Sequence, residues 1–172
     1  MNSKGVTMVE LMMVVAIMGI TAVLVAPALG NLVQRNKVEA TADEMVRIFK
    51  TARSEAIKRG GPVEITVIPN LVEADNEFGE GVRVWVDLDS DGNFDAPGEL
   101  LMEFTPPDSM TIDASQNFTA MRYLPTGRVG TVNGNSTFFL EVCANGDASG
   151  TRLELARNYS RIRVADYSGC PT

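Results

Sequence analysis

Histidine is absent from this 172-residue chain. Imidazole is the common ligand of catalytic zinc and the common base beside a nucleophilic Ser or Cys, so its absence excludes imidazole-built zinc sites and Ser-His or Cys-His catalysis. The chain is predicted not to be an enzyme, although a pair of carboxylates acting together stays open. Positive charge is also scarce, because 15 Lys and Arg stand against 22 Asp and Glu. The net charge of -7 argues against bulk attraction to nucleic acid or anionic lipid, but leaves a local basic patch open.

A long apolar run occupies residues 6–29, and Glu10 is its one ionisable side chain. About 24 helical residues span roughly 36 Å, which is enough to cross a bilayer, so the sequence predicts a transmembrane helix over 6–29. An unpaired charge in such a helix costs about 2.5 kcal/mol or more. Glu10 is therefore expected to have a positive partner. A peptidase cut after Gly5 would supply one, since it leaves a new amino group at Val6.

These N-terminal residues resemble the processing motif of the type IV pilin family, and they match it in order: Gly5, Val6, Thr7, Met8, Val9 and Glu10. Gly19 and Pro27 match further family positions. The resemblance implies that a prepilin peptidase removes the leader, residues 1–5, and that Val6 becomes N-methylated. It also implies a single-pass inner-membrane anchor whose head lies in the periplasm, and which later packs in the core of a pilus or pseudopilus filament.

In the family, the carboxylate at the Glu10 position pairs with the terminal amine of a neighbouring subunit or helps to recruit the subunit for assembly. The implied partners are other pilins or pseudopilins, the prepilin peptidase, the inner-membrane assembly platform and membrane lipid. The alternative is an ordinary single-pass anchor in which Glu10 reaches the headgroups, a behaviour that suits Lys and Arg better.

The rest of the chain predicts an α+β head. Apolar residues at helical spacing continue the spine as an amphipathic helix over 30–60, and the triplet Gly60, Gly61 and Pro62 is expected to end it. A period of two then predicts antiparallel strands through residues 61–172, in two sheets packed on the helix. The polar segment 70–81, which includes Glu77, is predicted to be an exposed loop.

This head resembles the GspH/FimT group of minor pilins and minor pseudopilins. A turn with Gly127 and Arg128 and a closing strand with Arg161 and Arg163 match the group. The resemblance implies a structural subunit that initiates assembly of, or forms the tip of, a type IV pilus or a type II secretion pseudopilus. For an exported domain, Cys143 and Cys170 predict one disulfide, with two free thiols as the alternative.

An acidic stretch at residues 87–95 has the spacing of part of a calcium loop, with Gly92 at the sixth position. Gly98 occupies the position of the final ligand, and Glu99 falls one place late. The first interpretation is an acidic hairpin turn, and the second is a calcium-stabilised loop. The side chains that would bind calcium are Asp87, Asp89, Asp91, Asn93 and Asp95.

Four arginines near the C-terminus form the second candidate site: Arg152, Arg157, Arg161 and Arg163. Arg161 and Arg163 are expected to share one strand face, with Ile162 and Val164 directed to the core. Some FimT-like proteins hold DNA phosphates with such a pair, so the alternative function is a DNA-binding minor pilin of an uptake pilus. The competing interpretation is a solvated or subunit-pairing strand face.

Overall fold

One long helix precedes a β-rich head. The computed structural model describes residues 7–68, 77–89, 91–95, 97–115, 120–130, 137–156 and 161–170, with residues 23–28, 137 and 156 described by backbone alone. Helix α1 (Met8–Arg59) is followed in the described part of the chain by β1 (Val63–Val67), β2 (Val82–Trp85), β3 (Leu100–Phe104), β4 (Met110–Ala114), β5 (Ala120–Tyr123), β6 (Thr137–Ala144), β7 (Gly150–Ala156) and β8 (Ile162–Tyr167). The chain divides into two compact units, Met1–Asn36 and Lys37–Thr172.

Within the second unit, α1 buries one face. Side chains spaced three and four residues apart point inward, because that spacing places them on one side of a helix. They are Val38, Ala42, Met45, Phe49, Ala52 and Ala56. The helix ends at Arg59, and Gly60 follows with a φ of 64°, the left-handed conformation that glycine adopts without strain. The predicted end of the helix is confirmed.

Among the residues that the structure describes, the strands of the head form two antiparallel sheets of four strands each. The first sheet has the order β3-β2-β1-β5, and the second has the order β4-β6-β7-β8. Alternate residues of both sheets face a shared hydrophobic core, for example Ile65 and Val84 in the first and Leu140 and Leu153 in the second. The predicted α+β fold with a long helix and two sheets is confirmed.

Two predictions about burial are wrong. Glu77 was expected in an exposed loop, but it is only 3% exposed, and its Oε2 accepts a hydrogen bond from the Ala114 amide at 3.1 Å. Val164 was expected in the core, but it is 55% exposed. Val164 lies opposite the buried Leu153 in the sheet register, so it is on the core-facing side of the sheet, as predicted. On this last strand the core reaches Ile162, which is partly buried against it, but does not cover Val164.

Candidate functional site

The start of α1 is the first candidate site. Thr7 precedes the helix, and its Oγ1 accepts a hydrogen bond from the Glu10 amide at 3.3 Å, while its carbonyl accepts one from the Leu11 amide at 3.1 Å. Thr7 is therefore the N-cap, and the Thr-x-x-Glu spacing is that of a capping box. Thr7 is thus both part of the processing motif and a helix cap, and the Thr-x-x-Glu spacing is the sequence signal for this second role.

The first turns of α1 expose apolar side chains on every side. Exposed side chains, each between 48% and 79% accessible, are Met8, Val9, Leu11, Met12, Met13, Val14, Val15, Ile17, Met18 and Ile20. A helix that is apolar all round needs lipid or protein around it. Glu10, also exposed, is the one ionisable group among residues 7–22. Gly5 and Val6, the predicted cleavage and methylation positions, lie outside the described residues.

Across the helical segments that the structure describes, none combines the length and hydropathy needed for a membrane span. The membrane span at residues 6–29 stays a prediction.

The acidic hairpin, residues 87–99, is the second candidate site. Two groups of three carboxylates each bring one oxygen per residue within 4.8 Å of the others: Asp87, Asp89 and Glu99, and Asp89, Asp91 and Asp95. Glu99, which the sequence placed one position late for a calcium ligand, is thus beside the predicted ligands. It is 5% exposed, and its two oxygens accept hydrogen bonds from the amides of Leu88 and Asp95, each at 2.8 Å.

Local hydrogen bonds already organise this hairpin. Asp87 Oδ2 accepts from the Gly92 amide at 3.0 Å, and Asp91 Oδ1 accepts from the Asn93 amide at 2.7 Å. The bonds from the Asn93 side chain and amide lower the pKa of Asp91. The pKa of Asp95 is raised, first by the negative charge of Asp91 and then by loss of hydration and by other carboxylates. The described residues of the hairpin therefore concentrate negative charge within a set of local hydrogen bonds.

Aromatic packing fastens the hairpin to the outer face of the first sheet. The Phe94 ring meets the Trp85 ring edge to face, with 5.8 Å between centroids, and the Arg83 guanidinium lies 4.1 Å above Phe94. The indole of Trp85 donates a hydrogen bond to Thr66 Oγ1 at 3.2 Å. These contacts position the hairpin against the first sheet. Calcium binding stays a prediction.

If the calcium interpretation is right, isothermal titration of residues 37–172 with calcium gives a heat of binding that Asp89→Ala removes, because Asp89 belongs to both carboxylate groups. Asp108→Ala is the matched control, since Asp108 is exposed and lies outside both groups. Absence of heat from the unsubstituted head would refute the interpretation.

The structure separates Arg152 from Arg161 and Arg163. Arg161 and Arg163 are exposed, and the Arg163 side chain is 80% accessible, with Nη1 4.0 Å from Glu154 Oε2. Arg152 instead lies between the rings of Phe139 and Tyr167, 4.4 Å from each centroid. Its Nη2 donates to Glu141 Oε1 at 2.5 Å. Arg157 lies outside the described residues, so the described exposed pair is Arg161 and Arg163.

DNA binding by this pair stays a prediction. A gel shift of residues 37–172 with double-stranded DNA at low salt is the test, because phosphate contacts weaken as salt rises. If the pair binds DNA, the Arg161→Gln, Arg163→Gln double variant is expected to lose the shift, whereas Lys50→Gln, on the exposed face of α1, is expected to keep it. Failure of the unsubstituted head to shift DNA would end this interpretation.

The predicted disulfide is present. Cys143 in β6 bonds to Cys170, with 5.7 Å between their Cα atoms, so the segment after β8 is tied back to the second sheet. Gly150 in β7 lies opposite Cys143 in the register, beneath the bond. The Tyr167 hydroxyl donates a hydrogen bond to the Gly169 carbonyl at 3.1 Å, one residue before Cys170.

Two protein-family models match the chain. Residues 1–26 match the model of the prokaryotic N-terminal methylation motif, and residues 41–161 match the model of type II transport protein GspH. No curated protein sequence matches the chain. The chain is thus of the pilin and pseudopilin class.

Solved structures share the fold. The type IV minor pilin FimU of Pseudomonas aeruginosa (strain PAO1) is similar with a TM-score of 0.60 and 19% identity, over 78% of this chain and 92% of that one. The minor pseudopilin EpsH from the type 2 secretion system of Vibrio cholerae is similar with a TM-score of 0.52 and 14% identity, over 75% and 96%. With the GspH model covering more than half of its length, the chain belongs to the GspH family.

Proposed function

We propose that the protein is a membrane-anchored minor pilin or pseudopilin that helps to initiate a filament or forms its tip. The leader, residues 1–5, is removed, Val6 carries the methylated terminus, and the apolar helix first lies in the inner membrane and then packs among other subunits. The head contributes surfaces to the assembly and no catalysis.

The exposed apolar start of α1 with its single carboxylate is the observation that supports this proposal. Ten apolar side chains between Met8 and Ile20 are about half exposed or more, and Glu10 stands among them. In a low-dielectric surrounding, a carboxylate is stable only when paired, and a neighbouring subunit's terminal amine has the needed charge. A purely lipid-facing anchor gives Glu10 no such partner.

The experiment that tests this proposal is the Glu10→Ala substitution in the full chain, expressed in a host with its assembly machine. Incorporation into sheared filaments, or secretion through the pseudopilus, is expected to fall about tenfold or more. Membrane-fraction levels of the variant show whether anchoring itself survives. Unchanged incorporation would contradict the assembly role of Glu10.

A further inference from the structure

The end of α1 and the turn after β5 meet at one corner of the head. The Gly127 amide donates to the Leu124 carbonyl at 2.8 Å, and Gly127 has a φ of 73°, the left-handed conformation that glycine adopts most readily. The Arg53 Nε donates to the Gly127 carbonyl at 2.8 Å. A Cβ at residue 127 would lie 2.8 Å from Ile57 Cδ1. The turn is therefore held directly against the helix.

An exposed aliphatic side chain lies on each of the two segments that meet here. Ile57, near the end of α1, is 51% exposed, and Leu124, which begins the turn, is 37% exposed. Single exposed aliphatic residues are common on protein surfaces. Apolar side chains that gather in one place within a polar rim instead mark interaction sites.

The segments that build this corner are basic, although the chain has a net charge of -7. Residues 50–67 and 120–130 contain six Lys and Arg but only two carboxylates. The carboxylates, Glu55 and Glu64, each form an ion pair with cations of these segments. An excess of positive charge remains after both pairs. Five residues define this basic corner: Arg53, Ile57, Lys58, Leu124 and Arg128.

The helix dipole explains part of this charge. Cations in the last turn of a helix are favoured by its dipole, which accounts for Lys58 and Arg59. Arg128 comes from a different segment and is exposed, so the dipole of α1 does not require it. The dipole also gives no reason for the exposure of Ile57 and Leu124. A partner that covers the basic corner accounts for both features.

We propose that the basic corner is the docking surface for an acidic patch on a different subunit of the same filament. The partner presents carboxylates around an apolar side chain, because such a surface matches both the cations and the exposed aliphatic pair. Two copies of this chain do not meet corner to corner, since like charges would then face each other. One contact of this kind binds one partner, which suits a minor subunit.

Nucleic acid is the competing occupant of a basic surface. Proteins that hold single strands stack the bases on exposed aromatic side chains. In the described segments of this corner, the aromatic residue is Tyr123, and it is 4% exposed. A phosphate backbone gives little to an apolar side chain, whereas a protein partner removes it from water. The exposed Ile57 and Leu124 therefore favour a protein.

A photoreactive amino acid at Thr126 tests the proposal in the full chain, produced in a host with its assembly machine. Thr126 is exposed on the turn of the basic corner. Light is expected to join it to one protein, which peptide mass spectrometry identifies as a different pilin or pseudopilin subunit, at a segment rich in Asp and Glu. The same amino acid at Ser149, exposed between β6 and β7, is the matched control and is expected to give no such product.

Charge reversal shows whether the basic corner recognises this partner. Arg128→Glu is expected to lower the yield of the crosslink about tenfold or more, because like charges then meet, whereas Arg128→Lys keeps the charge and most of the product. Lys37→Glu is the matched control, since it reverses an exposed charge about 30 Å before Ile57 along α1.

Thermal unfolding of residues 37–172 shows whether Arg128→Glu folds. Every buried hydrophobic side chain in the described part of the chain, and the disulfide, lie in this unit, so the head retains its core without the apolar helix. If Arg128→Glu does not fold, Leu124→Glu takes its place. It adds a carboxylate at an exposed position of the same turn and is expected to cause the same loss.

Three outcomes overturn the inference. They are the absence of a crosslink from Thr126, a crosslink to a second copy or to a protein that is not a filament subunit, and a crosslink that a folded corner variant leaves unchanged. If Arg128→Glu instead abolishes a gel shift with DNA and leaves the protein crosslink unchanged, the corner is a nucleic-acid surface.

The inference rests on the proposed function, because it takes the partner to be a filament subunit. Incorporation of the unsubstituted chain separates the two failures. If this chain enters filaments or supports secretion while the corner variants crosslink normally, the docking surface is wrong and the proposed function stands. If the unsubstituted chain does neither, the proposed function fails, and this inference fails with it.

Discussion

Replacing Glu10 with Ala is expected to reduce incorporation of the subunit into a filament about tenfold or more while leaving the start of α1 intact. The two effects are separable because the bond seen in the structure runs from the Glu10 backbone amide to Thr7 Oγ1, and alanine keeps that amide. A tenfold loss corresponds to about 1.4 kcal/mol. An unpaired charge in a transmembrane helix costs about 2.5 kcal/mol or more, so loss of the pairing is large enough to produce a tenfold effect.

Three companion variants show what the carboxylate does. Glu10→Gln keeps the shape and removes the charge, so it is expected to lose incorporation as Glu10→Ala does. Thr7→Ala removes the N-cap, which costs about 1 kcal/mol of helix stability, and is expected to have a smaller effect. Glu39→Ala is the matched control at an exposed helical position of the head unit. Incorporation is measured as the variant's share of sheared filaments relative to its share of the membrane fraction.

The result for Glu10→Gln separates pairing from packing. If it assembles normally while Glu10→Ala does not, the residue acts through its size or hydrogen bonding, and pairing with a neighbour's terminal amine is wrong. If Thr7→Ala alone abolishes incorporation to the same extent as Glu10→Ala, the helix cap explains the motif. Only the charge-dependent outcome supports recognition between subunits.

Sequence patterns were sufficient where structure depends on residues close in the chain. The end of α1 followed from the glycines and proline after Arg59, and the strands followed from alternation of apolar side chains. The disulfide followed from an even number of cysteines in an exported domain. In each case, a local signal or a simple count fixes the outcome, and no knowledge of strand order is needed.

Sequence patterns failed where burial depends on which strands become neighbours. Alternation places Val164 and Leu153 on the same face of the second sheet, but it does not show that β8 is an edge beyond the reach of the core. Glu77 lies in a polar segment that was predicted to be exposed, but Glu77 and Phe78, which the structure describes, hydrogen-bond along the edge of β4. Glu99 falls one position late for the final ligand of a calcium loop, but that spacing applies to only one loop geometry. In this hairpin the Glu99 carboxylate lies within 4.8 Å of those of Asp87 and Asp89.

Removing the disulfide is expected to cost the oxidised head about 3 to 4 kcal/mol. The bond joins residues 27 apart in sequence, and a loop of that length has about this much closure entropy in the unfolded chain. Urea unfolding measures this cost as the difference in the free energy of unfolding between residues 37–172 and their Cys143→Ala, Cys170→Ala double variant. Tyr167, stacked on Arg152, still holds the end of β8, so the variant is expected to remain folded. A loss below about 1 kcal/mol would contradict this account.

The β6 backbone and the disulfide together leave no room for a side chain at Gly150. A Cβ at this position would lie 2.6 Å from Cys170 Sγ and 2.4 Å from the Val142 carbonyl oxygen, so the bond and the β6 backbone would both have to move. Gly150→Ala is expected to destabilise the oxidised head by about 1 to 3 kcal/mol, the range for overpacking. Gly98→Ala, with no atom within 4 Å of its Cβ, is the control and is expected to change stability by less than about 0.5 kcal/mol.

Combining the substitutions isolates the contact between Gly150 and the disulfide. In the double Cys→Ala background, Gly150→Ala is expected to cost less than in the oxidised head, because the sulfur of Cys170 no longer crowds residue 150. The difference between the two costs is the coupling energy of a double-mutant cycle. A zero difference would mean that the clash with the Val142 carbonyl alone requires glycine. A positive difference would show that β7 is shaped at this residue to let the disulfide cross from β6 to the chain end.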